Sequence, residues 1–145
     1  YGRTYDAHYR HGEGWTADDF VTLANTHLAM RRALASRAGP VLIEDTDAIQ
    51  TAVWAEYLLG EPVADLEALI ATGETADHYI LLTSDVAWID DGTRYGGAAG
   101  VRQWFFEQCR TRLTTLDLRF DELSGSDRKD RTAAAIQLVE RRIRP

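Results

Sequence analysis

Apolar residues recur at helical spacing in several stretches of the chain, with short uninterrupted apolar runs between them. The pattern predicts helices alternating with buried strands. Phe20, Val21, Leu23, Ala24, His27, Leu28 and Leu34 fall near one period, behind Thr16 and Asp19. That pair resembles a capping box with Asp in place of the preferred Glu or Gln. Ala38-Gly39-Pro40 should stop this helix. Val41-Leu42-Ile43 then reads as a buried strand running into Glu44-Asp45-Thr46-Asp47. Helices follow over about Ala48 to Leu59, ended by Gly60 and Pro62, and over Ala64 to Ala71, ended by Gly73.

His78 to Thr83 reads as a second buried strand, feeding a loop that runs from Ser84 to Gly97. Helix should resume from about Ala98 to Leu113, and Leu116-Asp117-Leu118-Arg119-Phe120 alternates like a more exposed strand. A last helix should cover about Asp127 to Arg144, burying Ala134, Ile136, Leu138, Val139 and Ile143. Strands joined through helices of about ten residues or more imply right-handed crossovers. The expected class is therefore α/β, a parallel sheet with helices on both faces. Ligands in such sheets bind beyond the carboxyl ends of the strands. That rule singles out Glu44 to Asp47 and the loop from Asp85 to Gly97.

At 145 residues, 45% hydrophobic and 27% charged, the chain suits one globular domain over 1–145. Sixteen basic against 23 acidic residues give a net charge of −7, which argues against binding nucleic acid or anionic membrane through net charge. No apolar run reaches the length of a membrane span. Cys109 is the single cysteine, so there is no disulfide framework, and a reducing, cytoplasmic compartment is the economical reading. Only one basic residue, Lys129, is a lysine, and residue 1 is Tyr, which suggests a piece of something longer.

Asp45 and Asp47 flank a threonine at the expected end of a strand. An acid there can hold Mg2+ through water or take a proton from a hydroxyl, or it can simply cap the next helix. Trp88-Ile89-Asp90-Asp91-Gly92-Thr93-Arg94 places an aromatic, two acids and an arginine in one loop. Arg94 can clamp a phosphate there; an ordinary Asp91-Gly92 turn is the plainer reading. Tyr1, Arg3 and Tyr5 suit stacking on a flat heteroaromatic ligand, although Tyr1, Tyr5 and Tyr9 also have the spacing of a packing stripe. His8 and His11, at i, i+3, are either a weak metal pair or surface histidines. There is no Gly-x-Ser-x-Gly elbow and no Gly-x-x-x-x-Gly-Lys-Ser/Thr phosphate loop.

Tyr1-Gly2-Arg3-x-Tyr5, Ile43-Glu44-Asp45-Thr46-Asp47 with Thr51, and Ile80-Leu81-Leu82 leading into Trp88 to Arg94 agree in order and spacing with one family. The chain resembles the ribosylnicotinamide kinase domain of bifunctional NadR-type proteins, within the wider group of P-loop kinase and AAA-like ATPase domains. That family often has proline before the tryptophan, where Ala87 stands here. The resemblance implies a P-loop three-layer sandwich, truncated at its N-terminus. Its reaction would move the ATP γ-phosphate to the ribose 5′-hydroxyl of nicotinamide riboside. Asp45 or Asp47 would work near Mg2+ and the sugar, with Asp45 the water-bridged metal contact. Arg94 would reach the phosphates from a lid starting at Trp88. Tyr1, Arg3, Tyr5, Trp88 and Asp91 would contact the substrate. The family's phosphate loop should precede residue 1, so the 145-residue chain alone is expected to be inactive. The alternative is a regulatory or interaction module that binds nucleotide on the same fold without a kinase step.

Overall fold

The computed structural model describes residues 14–89 and 99–143. The chain divides into two compact units. The described part of the first comprises residues 14–37 and 43–75, and that of the second comprises 38–42, 76–89 and 99–143.

The first unit is helical. Helix α1 spans Ala17–Ala35, and its start is the capping box the sequence predicts. The Asp19 amide donates to the Thr16 hydroxyl at 3.3 Å while the Thr16 amide donates to the Asp19 carboxylate at 2.9 Å. Two of the helix's four orphan donors are satisfied this way, without tertiary help. Helices α2 (Ala48–Leu59) and α3 (Ala64–Ala71) keep the limits expected from their punctuation. Gly60 ends α2 in the left-handed region at φ +80°, donating its amide to the Glu56 carbonyl, a conformation glycine adopts without a Cβ penalty. The three helices close on Phe20, Ala24, Ile49, Ala52, Val53, Ala55, Leu66 and Ile70, all buried. Trp15 packs on Phe20 with ring centroids 5.2 Å apart.

The second unit contains the sheet. Strand β1 (Tyr79–Leu82) pairs in parallel with β2 (Phe120–Leu123), in the register Tyr79 with Phe120 through Leu82 with Leu123. Between them runs α4 (Ala99–Thr115), and α5 (Arg128–Ile143) follows β2. Helix α4 packs on β1 and α5 on β2, which is the crossover arrangement a parallel pair requires. Phe106, Cys109, Leu113 and Leu123 are the buried apolar residues among those described in this unit.

Four expectations need correction. Strand β1 is half-buried rather than buried, with Leu82 57% exposed. Val41-Leu42-Ile43 is not a strand; the run is unpaired and exposed, Ile43 to 76%. An apolar run becomes a buried strand only where a neighbouring edge takes its hydrogen bonds, and none of the described strands does. The strand expected over Leu116 to Phe120 starts only at Phe120. The intervening residues close α4: Leu118 donates to the Leu113 carbonyl at 2.9 Å and Asp117 to that of Thr114 at 3.1 Å, with Asp117 left-handed at φ +54°. That is a Schellman end built on aspartate where glycine is usual. In α5, Ile136 and Ile143 are exposed rather than buried, while Arg131 is 9% exposed and is the buried residue of the helix.

Candidate functional site

Of the residues expected to carry chemistry, Asp45, Asp47 and Trp88 belong to the described structure. Tyr1, Arg3, Tyr5, Asp91 and Arg94 lie outside the described residues, as do His8 and His11. Asp45 and Asp47 share one turn of the first unit, and Trp88 belongs to the second.

The acidic turn separates the two aspartates chemically. Asp47 is the N-cap of α2: its Oδ1 accepts the Gln50 amide at 3.0 Å, and its carbonyl takes the amide and hydroxyl of Thr51 at 3.0 and 2.7 Å. Asp45 is exposed and makes no hydrogen bond or ion pair to a described residue. Between them Thr46 has φ +83°. A β-branched residue in the left-handed region is an outlier that its surroundings must hold in place, at roughly 1–3 kcal/mol. Such strain clusters where a backbone conformation serves a site.

Arg31 of α1 holds this turn from one side. Its Nε lies 3.3 Å from Glu44 Oε1, an ion pair without the angle of a hydrogen bond. Its Nη1 and Nη2 donate to the carbonyls of Glu74 and Thr75 at 2.8 and 2.5 Å. Beside the turn, a hollow of about 20 Å³ lined by His27, Leu28, Arg31, Asp47, Ile70 and Glu74 has room for a water molecule. It is far too small for a nucleoside.

The segment leaving β1 is held in a similar way. Arg102 of α4 donates to the carbonyls of Ser84 and, at 3.0 Å, Val86, and its guanidinium stands 6.0 Å from the centre of the Trp88 ring. That is the outer range of a cation–π contact. Ser84 donates to Gln103 at 2.9 Å. Buried Arg131 donates to the carbonyls of Gly125, Thr83 and Leu123, the last two at the carboxyl ends of the paired strands. Asp85 Oδ2 accepts the Thr83 hydroxyl at 2.7 Å and the Gly125 amide at 2.9 Å. The Gly125 amide, then the Thr83 hydroxyl, and the charge of Arg131 hold its carboxyl below the usual aspartate range.

At the opposite end of the strands, His78 Nε2 meets Asp121 Oδ2 at 2.7 Å, and Arg142 reaches the same oxygen at 3.5 Å. The His78 contact is the main reason the Asp121 carboxyl lies below its ordinary range. His78 Nδ1 is buried without a hydrogen-bond partner.

The sequence pattern pointed to Asp45, Asp47 and Trp88 and missed Arg31, Arg102 and Arg131. All three arginines grip main-chain carbonyls, which leave no residue-type signal. Among the described residues no group of three or more His, Cys, Asp or Glu side chains could cage a metal. One exposed carboxylate such as Asp45 still suits Mg2+, which binds proteins through one or two carboxylates and keeps its other positions for water and phosphate. Among the described residues no helix is long and apolar enough to cross a membrane.

Comparison with curated proteins gives no match. The AAA domain family matches over residues 1–131. That span takes in the acidic turn, the whole paired sheet and the segment gripped by Arg102, so these features sit on a nucleotide-binding framework, and the chain belongs to the AAA domain family.

Proposed function

We propose that the domain containing these residues transfers the ATP γ-phosphate to the 5′-hydroxyl of a ribosyl nucleoside, with nicotinamide riboside the first candidate. The observation that carries this reading is the division of labour at residues 45–47. Asp47 is occupied as a helix cap, Thr46 is strained, and Asp45 is left exposed with its carboxylate uncommitted among the described residues. Asp45 then accepts the hydroxyl proton as the phosphoryl group leaves ATP. The same carboxylate is the candidate for a water-bridged contact to Mg2+, which neutralises phosphate charge when bound. Asp47 and Arg31 fix the turn. Trp88, its ring under Arg102, starts the segment leading to Asp91 and Arg94, and in this reading those two engage nucleoside and phosphates.

The resemblance of Tyr1-Gly2-Arg3-x-Tyr5 and Trp88 to Arg94 to NadR-type kinases supports the substrate class, with Tyr1, Arg3 and Tyr5 on the nucleoside side. In the same reading β1 and β2 belong to a wider parallel sheet with helices on both faces, a three-layer sandwich. The 145 residues hold no Gly-x-x-x-x-Gly-Lys-Ser/Thr loop to cradle the phosphates.

The test uses the full reading frame that carries these residues, assayed for phosphate transfer from ATP to a nucleoside panel. Asp45→Asn is expected to lower kcat by about 10²–10⁴-fold with the thermal midpoint unchanged. Wild-type protein that binds ATP and phosphorylates no nucleoside would replace the kinase reading with the regulatory one.

A further inference from the structure

Glu44, Glu74 and Thr75 are far apart in sequence, and one side chain joins them. Arg31 puts its Nε beside Glu44 Oε1 and gives Nη1 and Nη2 to the carbonyls of Glu74 and Thr75. Glu44 is the residue directly before the acidic turn, and its Oε1 is buried with Arg31 as its one ionic contact among the described residues. On the other side of Thr46 the chain is held by the Asp47 cap on Gln50 and Thr51. Thr46 is therefore clamped at both flanks, by an ion pair to α1 before it and a helix cap after it.

An exposed pair of the same type shows what is particular here. Arg32 bonds the Glu74 carboxylate with both partners open to solvent, an arrangement that contributes little. Arg31 and Glu44 are only 22% and 15% exposed, so water competes less for the pair. The guanidinium is anchored by two carbonyls before it meets Glu44, so its direction is preset.

We propose that Arg31 is a positioning residue: acting through Glu44, it holds the strained turn that presents Asp45 for proton transfer. The catalytic half of this statement rests on the kinase reading; the mechanical half does not.

The experiment uses the full reading frame and two readouts. The first is amide exchange at Gln50 and Thr51, whose N–H groups report whether the turn keeps its cap, with mid-α2 amides as the internal control. The second is kcat and KM for phosphate transfer, scaled to folded protein. Glu44→Gln removes the ionic contact while sparing the Arg31 bonds to Glu74 and Thr75. It is expected to speed exchange at Gln50 by about tenfold, leave mid-α2 unchanged, and lower kcat on the order of 10- to 100-fold with KM little altered. Arg31→Gln should do the same more strongly, and Arg31→Lys should recover part of kcat. A merely stabilising residue would instead raise exchange across the whole helix and leave kcat per folded molecule unchanged, which overturns the proposal. Unchanged exchange at Gln50 in both Glu44→Gln and Arg31→Gln also overturns it. If Asp45→Asn keeps full activity, the kinase reading of the site fails on its own, and the exchange data still decide whether Arg31 orders the turn.

Discussion

Thr46→Gly isolates the strain in the acidic turn. Threonine at φ +83° carries about 2 kcal/mol of backbone cost, which glycine removes. Against this, glycine loosens the unfolded chain by roughly 0.7 kcal/mol. Losing a half-buried methyl costs about 0.4 kcal/mol more. The Thr46 hydroxyl has no partner among the described residues, so no hydrogen bond enters the balance. The net expectation is a gain of about 1 kcal/mol, a rise of roughly 3 °C in thermal midpoint. Thr46→Ala is the control. It loses the same methyl but keeps a Cβ and therefore the strain, and should fall slightly below wild type. Glycine should exceed alanine by about 1.3 kcal/mol. Thermal and urea unfolding of the three proteins measure this directly. Glycine at or below alanine would show that the turn is not strained. If the strain serves the site, Thr46→Gly should also be the less active protein, because the relaxed turn no longer fixes Asp45.

Three further outcomes are expected. Arg131→Met should destabilise by roughly 3 kcal/mol, about 10 °C, because it strands the carbonyls of Thr83, Leu123 and Gly125; Arg131→Lys should recover only part, and full recovery in a melting experiment would refute the fork geometry. Asp47→Ala should cost about 1 kcal/mol by removing the cap on Gln50 while Asp47→Asn keeps most of it, so equal melting points for the two variants would deny the cap. The Asp121 carboxyl is lowered in the fold, so its contribution is complete above the ordinary aspartate value of 3.8 and is lost as pH falls below it. Asp121→Asn should therefore lose stability at pH 6, and the gap to wild type should narrow as pH falls below 3.8, as followed by thermal unfolding; a gap that does not narrow in acid would contradict the sign.

The sequence was most informative where punctuation and period agree. Helix α2 begins and ends where Asp47 and Gly60 place it, and α3 ends before left-handed Gly73, because caps and left-handed glycines act locally. Val41-Leu42-Ile43 departs from its pattern because an apolar run records only a preference for burial, and a neighbouring edge is needed to turn it into a strand. The start of β2 was displaced because Asp117 performs a turn that glycine would have announced. At the acidic turn the residue types were legible, yet the choice between Asp45 and Asp47 was not. That choice depends on which side chain meets the Gln50 amide, and on spacing Thr46 suits the cap as well as Asp47 does. The roles of Arg31, Arg102 and Arg131 stayed hidden because their partners are peptide carbonyls.

That last feature bears on how the protein tolerates mutation. Each of the three arginines spans main-chain oxygens of at least two residues, and fifteen of the sixteen basic residues are arginine, the one side chain with a fork to do so. The coupling is to the path of the chain and not to the side chains along it. Substitutions at Thr75, Ser84 or Val86 that preserve the backbone leave these contacts intact, whereas arginine to lysine breaks the bridge. Drift at those positions would leave no trace of covariation with the arginines, so a pairwise comparison of related sequences would pass over the contacts that fix both segments.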